Sequence, residues 1–113
     1  MARYVQQFRT NFAPAQVSEF MNSFMRNEGF SYINYNGEYV WKKGVGLLTA
    51  PQYIKLSQTN NGYVIEAWIK FALLPGVYVG EMGIDGGFGA IPKKLLKDKV
   101  NAIFGYLQAQ LFY

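Results

Sequence analysis

Two alternating runs, Tyr53-Ile54-Lys55-Leu56-Ser57 and Tyr63 through Phe71, stand either side of Thr59-Asn60-Asn61-Gly62, and the rest of the chain has to fit around them. A period of two sustained this long commits both runs to strands with one apolar face. Asn-Gly suits a type I′ turn, whose central residues both take positive φ. With Asn61-Gly62 as a two-residue loop, Asn60 faces Tyr63, Leu56 faces Ala67 and Ile54 faces Ile69. One face then carries Ile54, Leu56, Ile65, Ala67 and Ile69. The other carries Tyr53, Lys55, Val64, Glu66, Trp68 and Lys70, with Lys55 opposite Trp68 and Glu66 opposite Ser57.

Upstream, Tyr4 to Thr10 reads as a first strand. Pro14 then suits the first turn of a helix, where its missing N–H costs nothing. Val17, Phe20, Met21, Phe24 and Met25 repeat at helical spacing, and Gly29-Phe30 suits a Schellman ending with an apolar contact back to Met25. A second hairpin follows, Tyr32 to Tyr35 and Glu38 to Lys42 around Asn36-Gly37, pairing Ile33 with Val40 and Tyr32 with Trp41. Gly44 to Pro51 is a connector. Leu74-Pro75-Gly76 suits a type II turn into a strand over Val77 to Met82. Pro92 sits at the start of a closing helix whose stripe runs through Leu95, Leu96, Val100, Ile103, Phe104, Leu107 and Leu111.

The expected fold is therefore α+β: an antiparallel sheet of five or six strands, in the order β-α-β-β-β-β-β-α, with both amphipathic helices on one face. At 113 residues the chain suits one domain over 1–113. This element order resembles the helix-grip arrangement of START-like lipid-binding proteins, which implies a cavity between the sheet and the last helix. Tyr39 to Gly44, Leu74 to Gly83 and Ile91-Pro-Lys-Lys94 together resemble a small, functionally uncharacterised domain family of Gram-positive bacteria. That second resemblance spans most of the chain and implies no activity.

Composition removes several function classes. Cysteine and histidine are both absent, so there is no thiolate nucleophile, zinc–thiolate site or imidazole base. The seven carboxylates lack metal-ligand spacing and the serines have no histidine to activate them. The expectation is a protein that is not an enzyme and carries no cofactor or metal. Missing disulfides and a start without a leader-like run suggest the cytoplasm. The longest uncharged run, Val100 to Tyr113, is too short for a transmembrane segment.

Three constellations remain. The loop Gly83-Ile-Asp-Gly-Gly-Phe-Gly-Ala90 superficially resembles a phosphate cradle but has the wrong spacing, and Asp85 would repel the anion. Lys93, Lys94 and Lys97, with Lys99, are cations in the first half of a helix, opposed by its dipole, and form an anion-binding candidate. The third is a sheet face. With the helices on the side of Ile33, Val40, Ile54 and Ile69, the opposite side carries Tyr32, Tyr39, Trp41, Tyr53 and Trp68, with Lys55 and Lys70 among them. Such a face suits a protein partner or a homodimer, because Trp and Tyr anchor interfaces. The alternative is a helix-grip-like carrier of an apolar ligand or lipid. Nucleic-acid or anionic-surface binding through the lysines comes third, since no RNP signature accompanies the rings.

Overall fold

The computed structural model describes residues 3–44, 51–74, 77–82 and 90–112, with side chains over 3–44, 51–70 and 95–112. The six expected strands pair in one antiparallel sheet: β1 (Tyr4–Arg9), β2 (Ser31–Tyr35), β3 (Glu38–Lys43), β4 (Gln52–Thr59), β5 (Gly62–Leu74) and β6 (Val77–Met82). Helix α1 (Pro14–Asn27) follows β1 and helix α2 (Ala90–Leu107) follows β6. A two-residue strand, β7 (Gln110–Leu111), adds to the outer side of β1. The spatial order is β2-β3-β4-β5-β1-β7, with β6 on β5. The long strand β5 takes β4 along one side and shares its other side between β1 and β6. Among the described residues, no helix is long and apolar enough to cross a membrane.

The first hairpin turns as its Asn-Gly predicts. Asn36 has φ 53 and Gly37 φ 92, both positive, between the paired residues Tyr35 and Glu38. The second does not. Thr59 pairs with Gly62, so the two-residue loop is Asn60-Asn61, and neither residue has positive φ. Every partner moves by two: Leu56 faces Ile65, Ile54 faces Ala67, Tyr53 faces Trp68 and Lys55 faces Glu66. A shift of two preserves which face each side chain takes. Gly62 has a different task from the one expected. A Cβ there would fall 2.3 Å from the carbonyl oxygen of Phe8, so glycine lets β1 lie against β5.

Both helices stop as their sequences allow. At the end of α1, Gly29 N–H donates to Arg26 O and Phe30 N–H to Met25 O, the paired bonds of a Schellman motif. At the end of α2, Gln108 at φ 51 takes the left-handed place; its N–H donates to Gly105 O and that of Ala109 to Phe104 O. This ends the expected closing helix before Leu111, which lies in β7 opposite Phe8. The helix begins at Ala90, so Pro92 is its third residue; its missing N–H is still one of the first-turn donors without a helical partner.

Helices α1 and α2 cover the same sheet face. Val17, Met21 and Met25 join Leu96, Val100, Ile103 and Leu107 over Phe8, Ile54, Ile65, Ala67 and Ile69. Phe20 stacks on Tyr106 with ring centroids 3.9 Å apart, tying the helices together. A smaller cluster of Val40, Tyr53 and Trp68, flanked by Ile33 and Tyr35, lies on the opposite face. The expectation that Ile33 and Val40 would point to the helices is thus corrected. Trp41 pairs with Ile54, and that pairing sends Tyr32, Tyr39 and Trp41 to the helix side instead.

The two turn glycines separate in a stability experiment. Gly37→Ala meets nothing within 4 Å and should cost about 1–2 kcal/mol, the left-handed backbone term alone. Gly62→Ala should cost clearly more, because β1 must move off Phe8 O. Equal losses in denaturant titrations would show that close approach of β1 is not what selects Gly62.

Candidate functional site

The seven residues expected on one aromatic face divide between two faces. Tyr32, Tyr39 and Trp41 lie beside α1, whereas Tyr53, Lys55, Trp68 and Lys70 lie on the side without helices. The Trp41–Ile54 pairing shows the change of parity between the two hairpins; the link between them, 45–50, falls outside the described residues.

On the helix-free face the rings are covered. Trp68 is 0 % exposed and stacks on Tyr53 at 5.3 Å, nearly parallel, with Tyr35 tilted against both. Lys70 Nζ stands 4.9 Å above Tyr35. Lys55, expected opposite Trp68, faces Glu66 instead; Arg3 lies over the indole, its guanidinium 3.6 Å from the ring centroid. Arg3 Nη1 and Nη2 donate to both oxygens of Glu38, at 3.0 and 2.7 Å, and Nη1 also reaches Glu66 at 3.0 Å. Lys55 Nζ joins Glu38 from the other side at 2.9 Å. Hydrogen bonds from Arg3 and then Lys55 hold the Glu38 carboxyl at about 2, well below its ordinary 4.5. Arg3 and Glu38 escaped the sequence reading because nothing in the sequence says that β1 pairs with β5. Only that pairing, Tyr4 opposite Ala67, brings Arg3 beside Trp68.

On the helix side the rings form a row that ends in the open. Tyr39 stacks on Tyr32 at 5.8 Å, and Tyr32 leans on Trp41 at 4.7 Å. Trp41 is 6 % exposed, but Tyr32 is 52 % and Tyr39 60 % exposed. Arg26 lies 5.3 Å from the Trp41 ring, steadied by a bond to Asn22. Next to the row, between α1 and the sheet, runs a groove of about 430 Å³. Val17, Met21, Trp41, Leu56 and Tyr63 wall it, and Ser18, Asn22 and Gln58 line it with neutral polar groups. Burial pushes the Tyr63 hydroxyl up, so it stays neutral there.

The lysine cluster is only partly in view. The side chains of Lys93 and Lys94 lie outside the described residues, as do the glycine loop 83–89 and the Pro75-Gly76 turn. Lys97 is exposed and has an interaction partner of its own. Lys99 is committed to Glu28 at the C-cap of α1, and this contact holds the Glu28 carboxyl below its usual range.

The Glu38 arrangement gives a pH signature. Its folded pKa is depressed, so its stabilisation is fully present above about pH 4.5 and is lost as pH falls toward 2. Glu38→Gln should lower stability at neutral pH and flatten the loss of stability through that window. An acid-unfolding profile parallel to wild type would show that Glu38 is not an acid-sensitive tie.

Neither a protein-family model, nor a curated protein, nor a solved structure matches this chain.

Proposed function

We propose that this chain is a non-enzymatic binding domain of the cytoplasm that makes protein contacts, including contacts with its own copies, through the open end of the Tyr39–Tyr32–Trp41 row. The observation that carries this reading is the pair of stacked tyrosines, each more than half exposed beside a buried indole. A rigid ring costs little conformational entropy when covered, and Tyr and Trp are the residues that anchor interfaces. Tyr53 and Trp68 leave this role, since Arg3 and neighbouring rings already cover them.

A second reading, carriage of an apolar ligand or lipid, rests on the groove under α1. Its volume falls in the range of small-molecule sites and its walls are apolar with neutral polar groups beside them. It lies against the first helix, not the last, where the START-like arrangement would hold its ligand. Binding of nucleic acid or an anionic surface through Lys93, Lys94 and Lys97 stays third; of these side chains only Lys97 is described, and it is exposed.

Size exclusion with light scattering, over a range of concentration and salt, tests the primary reading. Wild type should associate, and association should survive high salt because rings drive it. Tyr32→Ser with Tyr39→Ser should reduce it without unfolding, both side chains being more than half exposed already. A double variant that associates like wild type would overturn the ring row as the contact. Native mass spectrometry showing a co-purified apolar adduct, lost in Met21→Glu, would move the carrier reading ahead.

A further inference from the structure

Among the described residues, strand β2 ends the sheet on one side, with β3 as its strand partner and no strand on its other side. Because Tyr35 and Glu38 flank a two-residue turn, they form a hydrogen-bonded pair, and so do the Ile33–Val40 and Ser31–Lys42 pairs. The backbone N–H and C=O groups of Tyr32 and Asn34 therefore point away from β3, along the open edge. Both residues are exposed. Natural edge strands are usually protected by charge, proline, a bulge or brevity. β2 has five residues, Ser-Tyr-Ile-Asn-Tyr, all uncharged, without proline, and pairs with β3 in unbroken register. The sheet's opposite edge is blunted by the two-residue β7 beyond β1.

The geometry points to a second copy of this chain as the occupant of that edge, paired antiparallel to β2 about a two-fold axis at Ile33. This rests on the interaction reading above and adds the partner and register. In that register Tyr32 of one copy and Asn34 of the other exchange backbone bonds, and the reverse pair does the same, giving about four new hydrogen bonds. Ile33 meets its symmetry mate in the closely spaced type of pair, with Cα atoms about 4.5 Å apart. Ile33 already packs on the Val40–Tyr53–Trp68 cluster, so the contact continues that cluster across the axis. The ladder stops itself. Phe30 N–H is used by Met25 O, and Asn36 is turned out of the strand at φ 53. The net charge of +4 opposes association of copies, but no charged residue occurs from Gly29 to Gly37. The repulsion is therefore remote from the contact and screened by physiological salt. On the helix side, the exposed Tyr32 ring is brought against Asn34 of the other copy.

Charge-swapped variants at Ile33 test this. Ile33→Lys and Ile33→Glu should each shift wild-type dimers to monomers, since like charges then meet at the axis. Mixing the two variants should restore a dimer, read by light scattering and native mass spectrometry. In wild type, hydrogen exchange at the Tyr32 and Asn34 amides should slow as concentration rises, while that of Ile33 stays constant. A wild-type monomer at the highest soluble concentration overturns the pairing. So does a dimer that keeps its size in Ile33→Lys, or one in which the Tyr32 and Asn34 amides exchange freely. If such a dimer dissolves in the Tyr32→Ser, Tyr39→Ser variant, edge pairing has failed and the ring-row reading stands. If it dissolves in neither, both have failed.

Discussion

Arg3 over Trp68 is the contact on which the helix-free side of this sheet depends. A large indole on an open sheet face would ordinarily be a liability, since a contiguous apolar patch invites association. Here a guanidinium covers one face of the ring, while Tyr53 stacks nearly parallel to it. The same guanidinium is forked onto Glu38 and touches Glu66, so the lid is fastened to β3 and β5 at once. These charges keep some exposure, which limits the desolvation cost that fully buried ion pairs incur. The indole Nε1 is buried without a hydrogen-bond partner among the described residues. An orphan donor of that kind costs roughly 1–3 kcal/mol. The ring faces, not its polar edge, hold Trp68 in place.

Much of the architecture was legible because alternation and helical spacing are strong signals. The order of elements, the type I′ turn at Asn36-Gly37, the Schellman ending of α1 and the placing of both helices against Ile54, Ala67 and Ile69 all follow from local pattern. The failures have a common cause, which is that parity within a hairpin says nothing of parity between hairpins. The turn fixes Tyr32 against Trp41, but only the β3–β4 pairing decides whether Trp41 sits with Ile54 or across from it. Similarly, Asn60-Asn61 and Asn61-Gly62 give the same two faces. In the register observed, Gly62 stands inside the strand against the Phe8 carbonyl of β1, a contact that local pattern in the hairpin does not announce. The two-residue β7 had no periodic signal at all.

Of the aromatic face expected, the richness in rings was legible but not which rings share a face. Aromatic enrichment marked Tyr32, Tyr39 and Trp41 as a row, and the structure keeps that row stacked. Lys55 and Lys70 turned out to serve the other face, one in the Glu38 cluster and one over Tyr35. The groove residues Val17 and Met21 had been read as helix core. They are that, and their outer edges also wall the opening beside Trp41.

Strand β1 touches both sides of the sheet, and this bears on how the molecule comes apart. Its Phe8 stacks with Tyr63 and meets Phe104 edge-on in the helix-side cluster. Its N-terminal neighbour Arg3 caps Trp68 on the other side. Arg9 reaches Gln110 across 101 positions of sequence, so β1 also anchors the return of the chain after α2. Two clusters on opposite faces could melt separately if each had its own supports. With β1 shared, losing it takes Phe8 out of the helix-side cluster, uncovers Trp68 and releases β7. Cooperativity between the two faces is thus built into one six-residue strand, whose long-range pairings both clusters share.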